Sequence, residues 1–77
     1  MKKFEIPSKL PLVEILGENR ILIENHLGVA AYSLEEIDVK VYYGTLSICG
    51  QGLCFAQINH NQMVINGKIE TVTLLRR

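Results

Sequence analysis

The stretch IDVKVYYGTLSICGQGLCFAQI, residues 37–58, decides the fold. Its apolar side chains alternate: Ile37, Val39 and Val41, then Leu46 and Ile48, then Leu53 and Phe55. That is the two-residue period of half-buried strands. A two-residue loop at Tyr43-Gly44 sets Tyr42 against Thr45, Val41 opposite Leu46 and Val39 opposite Ile48, so the apolar faces coincide. The other face then carries Asp38, Lys40, Tyr42, Thr45, Ser47 and Cys49, the polar alternation of an antiparallel sheet with one wet side. Gly50-Gln51-Gly52 reads as the next turn. Gly50-Gln51 is the favoured pair, because Gln51-Gly52 would place Gln51 at positive φ, and both choices keep Leu53 and Phe55 on the apolar side.

On the amino-terminal flank, Pro7 and Pro11 push their predecessors toward β or polyproline geometry, which predicts an extended lead-in over residues 1–10 and a single β-domain over 11–77. Strands are expected at Leu12 to Leu16, ended by Gly17-Glu18-Asn19, then at Arg20 to Glu24 and Val29 to Tyr32. The second and third could pair as a hairpin through Asn25-His26-Leu27-Gly28. Ser33-Leu34-Glu35-Glu36 has the spacing of a capping box. So few residues remain before Ile37 that a single helical turn or a serine-initiated turn is expected in place of a helix.

On the carboxy-terminal flank, the polar loop Asn59-His60-Asn61 precedes a strand at Gln62 to Ile65. Asn66-Gly67 signals a hairpin, since both residues tolerate positive φ. A two-residue loop would set Ile65 opposite Lys68, whereas a three-residue loop sets it opposite Ile69, the better apolar match. The last strand runs from Lys68 to Leu75. Turn signals thus recur about every 8 to 12 residues, the spacing of all-β sandwiches and barrels. The expected fold is an antiparallel meander of about seven to eight short strands, forming a small sandwich or a partly open barrel. Such a sheet must curl, split into layers or recruit a neighbour, which predicts a homo-oligomer.

Composition narrows the function classes. The chain has 77 residues, eight basic and eight acidic, for a formal net charge of zero. Basic residues cluster only as Lys2-Lys3 and Arg76-Arg77, too few to track a polyanion, and nucleic acid is not an expected partner. No apolar run approaches the roughly 20 residues that cross a bilayer, and no signal-peptide core opens the chain, so a cytoplasmic protein without direct membrane insertion is expected. Two cysteines do not make a secreted disulfide framework.

Candidate chemistry is sparse. Cys49 and Cys54 fall on one face in either register of the Gly50-Gln51-Gly52 turn, directly opposite or diagonal. A zinc site wants four ligands, which this pair with the scattered His26 and His60 does not supply, so the cysteines read as small packing groups. Gly50-x-Gly52 opens a strand where a phosphate-cradling loop would open a helix. No catalytic residue, metal ligand or cofactor-binding residue is therefore assigned, and no cofactor is expected. A small metal-dependent or cysteine-based enzyme stands as the second reading. The third is an oligonucleotide-binding barrel using Tyr32, Tyr42 and Tyr43 as stacking platforms, with only Lys40 near them in sequence.

Four segments carry a likeness: Pro11-Leu-Val-Glu-Ile-Leu-Gly17, Ile23-Glu-Asn-His-Leu-Gly28, Gly44-Thr-Leu-Ser-Ile-Cys-Gly50 and Ile65-Asn-Gly-Lys-Ile69. Together they resemble the YabP/YqfC family of sporulation proteins, with the second segment closest to the YqfC branch. The resemblance implies an endospore-forming bacterium and a non-enzymatic role in the mother cell during spore formation, as a self-associating structural or interaction module. It also implies a membrane-associated sporulation protein as a partner, and through it a location at the forespore membrane. Glu24, Asn25, His26 and Gly28 match the family segment without an assigned role; turn formation is the plain reading of them.

Overall fold

The computed structural model describes residues 10–76, so all of the expected lead-in except Leu10 lies outside the described residues. Six strands follow in order: β1 (Leu12–Leu16), β2 (Arg20–Glu24), β3 (Gly28–Tyr32), β4 (Glu36–Val41), β5 (Gly44–Ile58) and β6 (Gln62–Arg76). They form one antiparallel sheet in the order β1-β2-β6-β5-β4-β3. No helix occurs among the described residues. The all-β antiparallel expectation holds, with six strands in place of seven to eight, because two expected turns lie inside strands.

β5 and β6 are 15 residues each, and they run straight through Gly50-Gln51-Gly52 and Asn66-Gly67. These segments face each other across one ladder, with Gln51 opposite Lys68 and Cys54 opposite Asn66, and bulges between them. Gly67 shows why. Its φ is 134°, and a Cβ there would lie 2.7 Å from the Gly52 carbonyl oxygen and 2.9 Å from the Leu53 Cα. Only glycine lets the two backbones approach so closely. A tight turn and a bulge ask for the same backbone freedom, so the local signal could not separate them. The outcome was decided by distant pairing: Ile65 sits between Ile21 and Phe55, not opposite Ile69.

The β4–β5 hairpin also turns one position earlier than expected, at Tyr42-Tyr43. Val41 faces Gly44, Val39 faces Leu46 and Ile37 faces Ile48. Gly44 belongs in the ladder because the Leu75 carbonyl oxygen of β6 passes where any Cβ would stand. This register differs from the expected one by two residues, an even shift, so the apolar faces coincide as anticipated. β2 and β3 do not form a hairpin; β2 lies between β1 and β6, and β3 pairs with β4 alone.

At the paired bulges the sheet divides into two halves. The first holds β1, β2, Gln62–Asn66 of β6 and Cys54–Ile58 of β5; the second holds β3, β4, Gly44–Cys49 of β5 and Thr71–Arg76 of β6. Ile21, Ile23, Met63 and Ile65 of the first half join Ile37, Val39, Val41, Leu46 and Ile48 of the second in a single cluster with Leu53 at the bend. Nearly all of these are completely buried, which one face of an open sheet cannot achieve by itself. The halves therefore face each other, each large aliphatic contributing roughly 1.5–3 kcal/mol by burial. At one margin Tyr32 of β3 stacks on Phe55 of β5, with ring centroids 5.2 Å apart.

Each hairpin turn caps the bend on the long strand beside it. In the first half, the Gly67 amide donates to the Asn19 carbonyl (3.1 Å) and Ile69 to Glu18 (3.0 Å). In the second, the Gly50 amide donates to the Glu35 carbonyl and Leu53 to Leu34, both at 2.9 Å. The Ser33 hydroxyl accepts from the amides of Glu35 (3.2 Å) and Glu36 (3.0 Å), the serine-initiated turn that the sequence allowed.

Candidate functional site

The link from β2 to β3 must leave one half and enter the other, and it does so through the segment Glu24 to Gly28. Asn25 makes the corner at φ 64°, the one non-glycine residue at positive φ among the described residues. Asparagine tolerates this conformation better than most side chains. Its backbone amide donates to the Asn61 carbonyl (2.5 Å), and its side-chain Nδ2 donates to the Leu10 carbonyl (2.9 Å). Glu24 accepts from Gln62 Nε2 at 3.0 Å.

His26 is 7% exposed. Its Nε2 donates to the Asn59 carbonyl (2.9 Å), and its Nδ1 accepts from the Gly28 amide (3.0 Å). One nitrogen giving and the other taking describes the neutral ring with the proton on Nε2. The Asn59 side chain in turn accepts from the Gln62 amide at 3.0 Å, and the Leu27 amide donates to the Lys40 carbonyl at 2.7 Å. The structure thus gathers Glu24, Asn25, His26 and Gly28 with Asn59, Asn61 and Gln62 into a latch between the crossover and the β5–β6 loop. Sequence reasoning missed the last three as partners. The Asn59-His60-Asn61 run was their only signal, and it reads equally as an ordinary turn.

A profile of the YabP family matches residues 9–77. The chain belongs to the YabP family. This is a sporulation-associated family, and the match spans all six strands, the bend and the latch. No curated protein and no solved structure matches the chain.

Within this YabP domain the remaining candidates are dispersed. Cys49 and Cys54 both point away from the core, but they are neither opposite nor diagonal across a turn. They sit five positions apart on one strand, on either side of the bend. Both thiols are free, and Cys49 Sγ lies 3.9 Å from the Ser47 hydroxyl. Among the described residues no group of three or more His, Cys, Asp or Glu is placed to hold a metal ion. Tyr32 sits at one end of the β3–β4 pair, against Phe55; Tyr42 and Tyr43 sit at the other, where Arg76 lies 5.5 Å from the Tyr43 ring. The three rings do not make one stacking platform.

The outer faces of the two halves differ in chemistry. On the second half, β4 shows Glu36, Asp38 and Lys40 beside Thr45, Ser47 and Cys49 of β5 and Thr71, Thr73 and the exposed Leu75 of β6. There the Ser47 hydroxyl donates to Glu36 (3.3 Å), and Asp38 Oδ1 is buried without a partner. On the first half, Arg20, Leu22 and Glu24 of β2 lie opposite Asn66, Val64 and Gln62 of β6, flanked by Leu12, Glu14 and Leu16 of β1. Arg20 Nε donates to Asn66 Oδ1 at 3.1 Å, beside a shallow groove lined by Leu16, Asn19 and Lys68. Leu12 and Leu16 are about half exposed, at 51% and 47%. No helix among the described residues is long and apolar enough to cross a membrane.

Proposed function

We propose that this YabP-family chain is a non-enzymatic, self-associating module that acts in the mother cell during spore formation, and that it lies closest to the YqfC branch through Ile23-Glu-Asn-His-Leu-Gly28. The observation that carries this reading is the use of His26. Both ring nitrogens are committed to backbone groups and the ring is buried, so the one histidine in the family-like segment holds two loops together and offers no free base or nucleophile. The exposed leucines of β1 supply the motive for association. The module resides in the cytoplasm of the mother cell and reaches the forespore membrane through a membrane-associated sporulation protein; it uses neither a cofactor nor nucleic acid.

Deleting the gene and counting heat-resistant spores tests the biological half of the reading, with a marked loss of spores expected. Restoring the deletion strain with a copy expressed only in the mother cell is expected to recover them. Recovery by a forespore-specific copy alone would defeat the assignment of compartment. Unchanged spore counts in the deletion strain would remove the sporulation role itself.

A further inference from the structure

The outer face of the first half has a symmetry that its amino-acid order makes plain. Along β2 the outward residues are Arg20, Leu22 and Glu24, and their neighbours on β6 are Asn66, Val64 and Gln62. The face is thus positive at one end, apolar in the middle and negative at the other. Each charged group is steadied by the amide next to it, Arg20 by Asn66 (3.1 Å) and Glu24 by Gln62 (3.0 Å). The Asn66 bond engages the Nε of Arg20, which leaves the two terminal nitrogens of the guanidinium free to grip a carboxylate in bidentate fashion.

We propose that this face is where two copies of the chain meet, about a two-fold axis that lies in the interface across β2 and β6 at Leu22 and Val64. In such a pairing the same patch serves both partners, and residue i of one meets residue j of the other reciprocally. The axis sets Leu22 and Val64 against their own copies and Arg20 of each chain against Glu24 of the other. It also lays Leu12 of one copy over Leu16 of its partner, covering the two exposed leucines of β1. The opposite sense, with strands stacked parallel, would set arginine on arginine. The outer face of the second half has no such order, since Glu36, Asp38 and Lys40 run acid, acid, base.

Size sets the strength. Three strands of five residues cover roughly 14 Å by 16 Å, from strand spacing and rise. That is small for a specific interface, so the dimer is weak and transient. Glu14, beside Leu22 on β1, meets its own copy under the same axis, at the sheet margin where salt screens the pair.

This inference rests on the self-association reading, and the experiment separates the two. Sedimentation velocity over a concentration series on the full chain compares the parent with Arg20→Glu, Glu24→Arg, the double exchange and an equimolar mixture of the two single variants. Thermal melts verify that these surface variants stay folded. Each single reversal is expected to weaken the dimer at least tenfold, because every 20–24 contact becomes a like-charge pair. The double exchange restores it. So does the mixture, where a copy acidic at both positions meets one basic at both. Glu14→Gln tightens the dimer about two- to threefold, one like-charge pair being removed at a solvated site.

A parent that stays monomeric at every concentration would end the self-association reading and this proposal with it. A dimer indifferent to all these exchanges would leave self-association standing and place it on another face. Loss of spores with Arg20→Glu in a chain that is always monomeric would assign the face to a different protein and overturn the pairing of two copies.

Discussion

The two halves of the sheet are built alike and dressed differently. Each contributes a short hairpin, two of whose turn carbonyls accept hydrogen bonds from amides at the bend of the neighbouring long strand, and each lays a row of aliphatic side chains into the same core. Their outer faces have diverged: one alternates charge and leucine in a two-fold order, the other sets two carboxylates and a lysine beside threonines, a serine and a single leucine without that order. The shared inner face answers to folding, which needs volume and period. The outer faces carry no such duty, so differences between them are where recognition can reside.

Four experiments would break or sharpen that comparison. The largest effect is expected from Gly67→Val, which forces a side chain onto the Gly52 carbonyl and the Leu53 backbone at a φ of 134°. Steric strain on that scale costs about 3 kcal/mol or more, and since both halves hang on this bend they should unfold together. A circular-dichroism melt in which one half's structure survives would show that they are separable.

Next come Ile65→Ala and Ile48→Ala, fully buried positions on β6 in the first half and β5 in the second. Each is expected to cost about 2–5 kcal/mol in urea unfolding. Values within about 1 kcal/mol of each other would support an even division of the core, and a wide gap would say that one half carries it.

His26→Ala probes a feature that the first half has and the second lacks. It strands the Gly28 amide and the Asn59 carbonyl, for an expected loss of about 1–3 kcal/mol, with faster hydrogen exchange confined to residues 25–28 and 59–62. Exchange that quickens equally around the β3–β4 turn would mean the latch is not local. The smallest effect belongs to Ser33→Ala in that turn, where losing the hydroxyl acceptor should cost about 0.5–1 kcal/mol and expose the Glu35 and Glu36 amides.

Much of the fold was legible because strand period is a local property. The alternation from Ile37 to Ile48 assigns the core face correctly even with the β4–β5 loop placed one residue late, since an even slip changes neighbours and not sides. The glycine motifs were legible as places of unusual backbone but not as bulges. Whether Asn66-Gly67 reverses the chain depends on β2 and β5 lying alongside, and neither is near it in sequence. The site was legible in the same partial way. Glu24, Asn25, His26 and Gly28 stood out as one segment, while Asn59, Asn61 and Gln62 became their partners only through the pairing of β2 with β6. The same pairing sets Arg20 beside Asn66 and Glu24 beside Gln62; a single strand could suggest the charges but not the amides that steady them.

The strand order has a consequence for synthesis. β2 is completed early, yet the strand that pairs along its free edge, β6, is the last to be made, so Ile21 must wait for its neighbour Ile65. Until then the nascent chain carries a greasy hairpin with no mate. Ladders closed between such distant positions form slowly and leave apolar surface open to aggregation meanwhile. Cells making this protein in quantity should therefore show it leaning on chaperones that shield emerging chains, and truncation just before Gln62 should yield insoluble material.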